Sequence, residues 1–433
     1  MQFPGNHRAH ALGAAGHQCD FRRRHCPCAA LCCPEAALYE PAMKTAPLQA
    51  PPGHILTAIT EAGGWLAFDR YMELALYHPE EGYYGAGRAR IGEGGDFDTA
   101  AETSALYGRA LAGQCAEVLT ACPDGEIVEL GPGSGRLAEV VLGELKEAGK
   151  LPQRYLLVEP APGLRAVQRE RLGRTHPDLL ERLEWVDRLT HERIRGTIIA
   201  NEVLDALPCK CFRRERGAWL ERGVSLGGEQ GLRWEDRRAD AALEQALDGL
   251  QAELPWTLPN GYCSEIRLNQ DEFIGELAQT LEAGLVLLAD YGLPRHELYL
   301  AERSEGTLGC HSGQHWHDDP FRRPGREDIT AWVDFTAIAR AAEAAGLTTA
   351  GYTNQTQFLL AAGILELAGS PPSAKDAAEL RRLMLPGGMG EAFKFLGLAT
   401  EGIGAPSGFG GRDLIASLNP ARVPERAAEA ARA

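Results

Sequence analysis

Three glycines at alternate positions, Gly131, Gly133 and Gly135, sit between two acids: Glu129 lies two residues before the first, and Glu159 lies 28 residues beyond it. Glycine lets a backbone turn tightly and come close to a ligand, and a helix that starts there offers free N–H groups to a nucleotide. A carboxylate such as Glu159 has two acceptor oxygens, enough to take both hydroxyls of a ribose. A dinucleotide fingerprint, G-x-G-x-x-G, wants its third glycine at position 136, which is Arg136; the spacing therefore disfavours a nicotinamide cofactor. A second polar group, Asn201, Glu202 and Asp205, follows directly on an apolar run. An amide and two carboxylates at the end of a strand beside a glycine turn can bind a cation, orient a nucleophile and accept its proton.

Positioning these groups requires strands that end in them. Apolar runs at 126–130, 154–159, 183–187, 196–201 and 284–289 read as buried strands, and 137–145 carries apolar residues at helical spacing. Strand, glycine turn and helix in repetition predict an α/β doubly wound sheet with its ligand at the carboxyl ends. Upstream, residues 54–59 and 65–77 read as two amphipathic helices. A Gly-rich loop over 94–104 closes in Ser/Thr caps before a helix over 105–119. Residues 211–214, 219–224 and 232–235 alternate with turns as a small β-meander; a helix over 241–254, a strand at 262–266 and a helix through 281 follow. Asp290, Tyr291 and Gly292 end the fifth strand at the ligand edge. Residues 328–335 start a helix running to 345, and 347–352 with 357–360 give the last strands and a helix start. The expected organisation is a disordered extension (1–42), a helical cap (43–125), the cofactor half of the sheet (126–208), an inserted α+β lobe for substrate (209–282), the second half of the sheet (283–420) and a fraying tail (421–433).

The acid-x-G-x-G-x-G spacing resembles the first motif of class I S-adenosylmethionine (SAM) methyltransferases. The words ALYHPEEGYY, GDFDTAAETSALYG, VELGPGSGRLAEV, NEVLDALP, ADYG and GREDITAWVDF occur in that order. Together they resemble the MidA-type family of SAM-dependent methyltransferases, which includes a mitochondrial complex I assembly factor; the likeness spans about residues 50–365. It implies a Rossmann-like class I fold, SAM as cofactor and a protein arginine as acceptor in a complex I-type subunit. It also implies that the 95–104 loop closes over the cofactor, making Thr99 and Glu102 cofactor-side residues, and that Asp187, just past the third strand, meets the adenine amino group. Glu129, Gly131, Gly133, Gly135 and Glu159 complete the cofactor set. Glu202 and Asp205 are the candidate catalytic acids, with Asn201 positioning them.

The chain has 433 residues, 44% of them hydrophobic, and a net charge of −16 from 60 acidic and 44 basic residues. With basic tracts no longer than Arg22-Arg23-Arg24 and Arg213-Arg214-Glu215-Arg216, it has no footprint for nucleic acid. No apolar run reaches the length of a membrane span. Five of the eleven cysteines, Cys19, Cys26, Cys28, Cys32 and Cys33, lie in the first 45 residues, without the paired spacing of a zinc module. The loop with His311, His315, His317, Asp318 and Asp319 resembles a polar family loop that requires no metal, but differs from it at His311 and Gln314. No metal is expected. Cytoplasmic placement is expected for a bacterial chain and the mitochondrial matrix for a eukaryotic one. The competing readings are a class I methyltransferase acting on a small molecule and a non-catalytic SAM-binding assembly factor.

Overall fold

The computed structural model describes residues 50–89, 99–189, 192–227, 231–312, 315–385 and 387–419. The expectations for the 1–42 extension, for Gly94–Asp98, for Gln314 and for the tail beyond 420 lie outside these residues.

Numbered by themselves, the strands of the central sheet are β1 (Glu126–Leu130), β2 (Tyr155–Val158), β3 (Leu183–Val186), β4 (Ile194–Asn201), β5 (Leu281–Leu293), β6 (Thr348–Asn354) and β7 (Phe393–Ala399). Their order is β6-β7-β5-β4-β1-β2-β3. Strands β1 to β5 run parallel, and β7 is antiparallel to both β5 and β6. Alternate residues serve opposite faces. Ile127, Leu157, Ile199 and Leu287 pack against the helices Ala105–Ala121 and Arg136–Glu147. Val128, Leu156, Ile198 and Leu288 pack against Gln270–Thr280 and Phe335–Ala344. With both faces covered, the strands carry no polar alternation and read as continuous apolar runs. This is the doubly wound sheet of a Rossmann-like fold.

The meander forms as expected: Lys210–Glu215, Ala218–Leu226 and Leu232–Arg238 pair antiparallel, and Cys263–Ile266 adds to the first of them. The structure differs from the sequence expectation at two places. Trp65–Ala67 is a strand, and only Phe68–Tyr77 is helical. Gly63 and Gly64, both at positive φ, break the helix before it. Leu66 and Ala67 then pair with Val224 and Gly223 of the meander, and the Trp65 indole lies over Gly223, where any side chain would collide with it. The second correction concerns 328–335, which is not helical. Asp328–Thr330 and Val333–Asp334 are short strands, and the helix begins at Phe335 with Asp334 capping the Ala337 N–H. The Arg267 guanidinium holds the intervening turn open by donating to the carbonyls of Ala331 and Trp332.

Candidate active site

The carboxyl ends of β1, β2 and β4 open into one cleft of about 390 Å³. Thr99, Glu102, Glu129, Gly131, Gly133, Glu159, Asn201, Glu202 and Asp205 all line it. Two sequence-predicted residues do not. Gly135 lies behind the turn, against Gln168. Asp187 is exposed, while its neighbours Arg188 and Leu189 form the wall instead.

The turn needs its glycines. Gly131, Gly133 and Gly135 have φ of 58°, 54° and 78°, the left-handed region that a side chain makes costly. A Cβ on Gly135 would also stand 3.3 Å from the Gln168 side chain. Gln168, fully buried, is the bracket of this wall: its amide donates to Gly133 O (2.8 Å) and Glu159 Oε2 (3.4 Å), and its oxygen accepts from the Trp185 indole N–H (3.1 Å). Glu159 also accepts from Ala161 N (2.9 Å). Burial pushes the Glu159 carboxyl up to about 7. Glu129 accepts from the Tyr155 hydroxyl at 2.7 Å; burial, with a smaller push from the Glu102 charge, raises it to about 7 despite that bond. Glu102 reaches over from the capping turn begun by Thr99 and accepts from both Ser134 N (3.1 Å) and Ser134 Oγ (2.7 Å). That capping turn and the glycine turn are thereby fastened together.

On the other wall, the chain leaves β4 through Glu202 at φ 53°, a conformation that a residue with a side chain adopts only when its surroundings impose it. The constraint is visible. Glu202 N donates to Ala289 O (2.8 Å), and Leu204 N and Asp205 N both donate to Asp290 Oδ2 (2.8 and 3.2 Å). Arg267 donates to the carbonyls of Asp205 and Leu207 as well as to those of Ala331 and Trp332, so one buried cation ties the loop to the segment behind it. The Tyr107 hydroxyl donates to Asn201 Oδ1 (2.5 Å), which turns the Asn201 amide nitrogen toward Glu202 Oε1 (3.3 Å). Burial, then the charge of Asp205, pushes Glu202 up to about 8; the Arg382 charge, from the helix Ala374–Met384, works against that rise. Burial likewise raises Asp205 and Asp290. Tyr77 and Tyr84, stacked with ring centres 5.7 Å apart, also line the cleft, with the Tyr77 hydroxyl donating to Ala206 O (2.9 Å).

Tyr107, Gln168, Arg267 and Arg382 were not singled out in the sequence. Tyr107 and Arg267 adjoin apolar runs, while Gln168 and Arg382 lie in polar, Arg-containing helices, and in neither setting does spacing distinguish them from solvated residues. Among the described residues, one group has metal-ligand reach: His54, His78 and Glu81. It does not line the cleft, and His54 Nδ1 is already 2.5 Å from Glu81.

The cleft combines apolar walls from Leu130, Val158 and Leu164 with several carboxylates and a glycine turn. That suits a ligand with an aromatic base, a ribose and positive charge, and SAM has all three. A structure of a COG1565 superfamily member from Burkholderia thailandensis bound to S-adenosyl-homocysteine is 36% identical, covers 84% of this chain and 98% of its own, and superposes with a TM-score of 0.77. Fold and site define a class I SAM-dependent methyltransferase. Residues 110–353 match the family of S-adenosyl-L-methionine-dependent methyltransferases Methyltransf_28, and the chain belongs to it, in its MidA-type branch. Curated relatives include the protein arginine methyltransferase NDUFAF7 homolog, mitochondrial, of Drosophila melanogaster (28% identical, over 76% of this chain and 80% of the relative) and protein arginine methyltransferase NDUFAF7, mitochondrial, of Homo sapiens (26%, over 80% and 82%). Among the described residues, no helix is long and apolar enough to cross a membrane.

Proposed function

We propose that this enzyme methylates a guanidinium nitrogen of an arginine in a polypeptide, a respiratory complex I-type subunit being the acceptor the family likeness implies. The observation that carries the reading is the pair of buried carboxylates, Glu202 and Asp205, at the inner wall of the cofactor cleft. A guanidinium is always charged and is a poor nucleophile. Two carboxylates draw its charge toward two of its nitrogens and leave the third free to attack. When bound, SAM supplies an electrophilic methyl group on a sulfonium. A C–N bond forms as the C–S bond breaks, and the proton displaced from the nitrogen passes to Glu202. Asn201, oriented by Tyr107, holds Glu202 in place, and Tyr77 and Tyr84 keep water from the reacting atoms. Glu159 would take the ribose hydroxyls, Glu129 and Gly133 the amino-acid end, and Leu164 with Leu189 the adenine; Thr99 and Glu102 would hold the covering loop.

An extract of the source cells depleted of this protein, supplied with the enzyme and labelled SAM, should yield methylarginine on acid hydrolysis of its proteins. Label confined to low-molecular-weight material would refute the polypeptide reading. A second result follows from the raised carboxyls. Below about pH 7, Glu159 and Glu129 are largely protonated in the free protein, whereas hydrogen bonds from ribose hydroxyls and an ammonium favour the ionised form. SAM binding should therefore release up to about two protons at pH 6 and about one at pH 7, and affinity should rise with pH to about 7. Calorimetry in buffers of different ionisation enthalpy reads this directly; zero proton release would remove both acids from ligand contact.

A further inference from the structure

Asp187 stands exposed outside the cleft, so the amino group of a bound adenine needs another acceptor. Six carboxylates line the cleft. Five of them have partners. Glu102 accepts from Ser134, Glu129 from Tyr155, and Glu159 from Ala161 N and Gln168, all around the glycine turn. Glu202 is bonded by the Asn201 amide and Asp205 by Ala206 N, where the chain leaves β4. The sixth is Glu276. Among the described residues its carboxylate has neither a hydrogen bond nor an ion pair.

Chain length explains why an acid for the adenine comes from so far along the sequence. The crossover between parallel strands usually takes a dozen residues or more, and its helix covers one face of the sheet. Between β3 and β4 only residues 187–193 are available. The face that carries Val128, Leu156 and Val158 is closed by another element: these residues share one buried cluster with Ile274 and Leu277 of the helix Gln270–Thr280. Phe273 of that helix and Leu189, just past β3, both pack against the same cluster and both line the cleft. Glu276 is three residues on from Phe273, hence on the same helix face, and it too lines the cleft.

We infer that Glu276 accepts the hydrogen bond of the adenine amino group of SAM, the part expected of Asp187. It stands with Phe273 on the wall to which Leu189 belongs, and Leu189 with Leu164 would flank the adenine. A carboxylate without a partner gives up no bond when the ligand arrives, whereas the other five acids would have to exchange one. Glu276 thereby sets cofactor specificity, because a purine without the amino group leaves the carboxylate unmatched. The inference concerns the cofactor alone and is independent of the methyl acceptor.

The test is calorimetric. It uses the full chain and two probes, S-adenosyl-L-homocysteine and its analogue with hydrogen in place of the adenine amino group. With the wild-type protein, loss of the amino group should weaken binding roughly ten-fold or more, the range for a hydrogen bond to a charged group. In Glu276→Ala the two probes should bind within about two-fold of each other. The analogue should bind this variant as tightly as it binds the wild type, which reports a folded protein with an intact cleft. Asp187→Ala should keep the full wild-type preference. Equal binding of both probes by the wild type overturns the inference, as does a preference that survives in Glu276→Ala or disappears in Asp187→Ala.

Discussion

Glu202→Gln should lower kcat by roughly 10²–10⁴-fold, the range for loss of a positioned proton acceptor, and leave SAM affinity within about twofold. Glutamine keeps the volume and can still bond the Asn201 amide, but it has no charge to polarise a guanidinium and does not take up its proton. Two pH profiles separate this from mere damage. In the wild type, burial and the Asp205 charge raise Glu202 to about 8, and only its ionised form acts. The kcat/KM, which reports the free enzyme, should therefore rise with pH and level off above about 8. The stability effect has the opposite sense. A carboxyl raised from 4.5 to about 8 favours the fold while protonated: its contribution is full below about 4.5 and is lost as pH rises through about 8. Glu202→Gln should accordingly match the wild type in Tm near pH 5 and exceed it near pH 9. A variant that is inactive yet more stable at high pH identifies a catalytic carboxylate held at the fold's expense; full activity would remove Glu202 from the reaction.

What was legible in the sequence follows from which forces act locally. A strand covered on both faces must be apolar along its length, so β1 to β5 stand out, and each acid that ends one is visible because it breaks the run. The Gly131, Gly133 and Gly135 turn is legible for the same reason: φ near 54–78° leaves little choice of residue. Trp65–Ala67 is not legible as a strand because Trp-Leu-Ala-Phe fits a helix face as well as a strand, and the partner that decides, Gly223, is more than 150 residues away. The 328–335 stretch fails likewise, since the Arg267 side chain that holds it extended comes from another element. The strand β7, Phe393–Ala399, does not stand out although Phe395-Leu396-Gly397-Leu398-Ala399 is apolar. It is the antiparallel strand inserted between β5 and β6, a topological position that no local pattern encodes. The helices after it in space, Gln355–Ala361 and Ala374–Met384, are tied together by Gln355 and Thr356 donating to the Leu383 and Met384 carbonyls, and so bring Arg382 toward Glu202 from a part of the chain that carried no motif.

Gly133→Val should reduce SAM affinity by roughly 100-fold or more, about 2.7 kcal/mol. At φ 54° a β-branched side chain is a genuine outlier. The turn can accept valine only by moving, and movement breaks the bond from Gln168 to Gly133 O that also orients Glu159. Backbone strain by itself is not the cause of the lost binding, and one control shows this. Gly149 has φ 65°, at the end of the helix Arg136–Glu147, and a Cβ there meets nothing within 4 Å. Gly149→Val carries the same left-handed penalty, about 1–2 kcal/mol, far from the cleft. It should lower Tm and leave SAM affinity unchanged. Calorimetric titration of both variants with SAM, and with NAD as the competing ligand, distinguishes the outcomes. Loss in Gly133→Val alone places the cofactor on the glycine turn. Equal loss in both would mean that global stability, not the cradle, sets the affinity, and wild-type affinity in Gly133→Val would take the turn out of the site altogether.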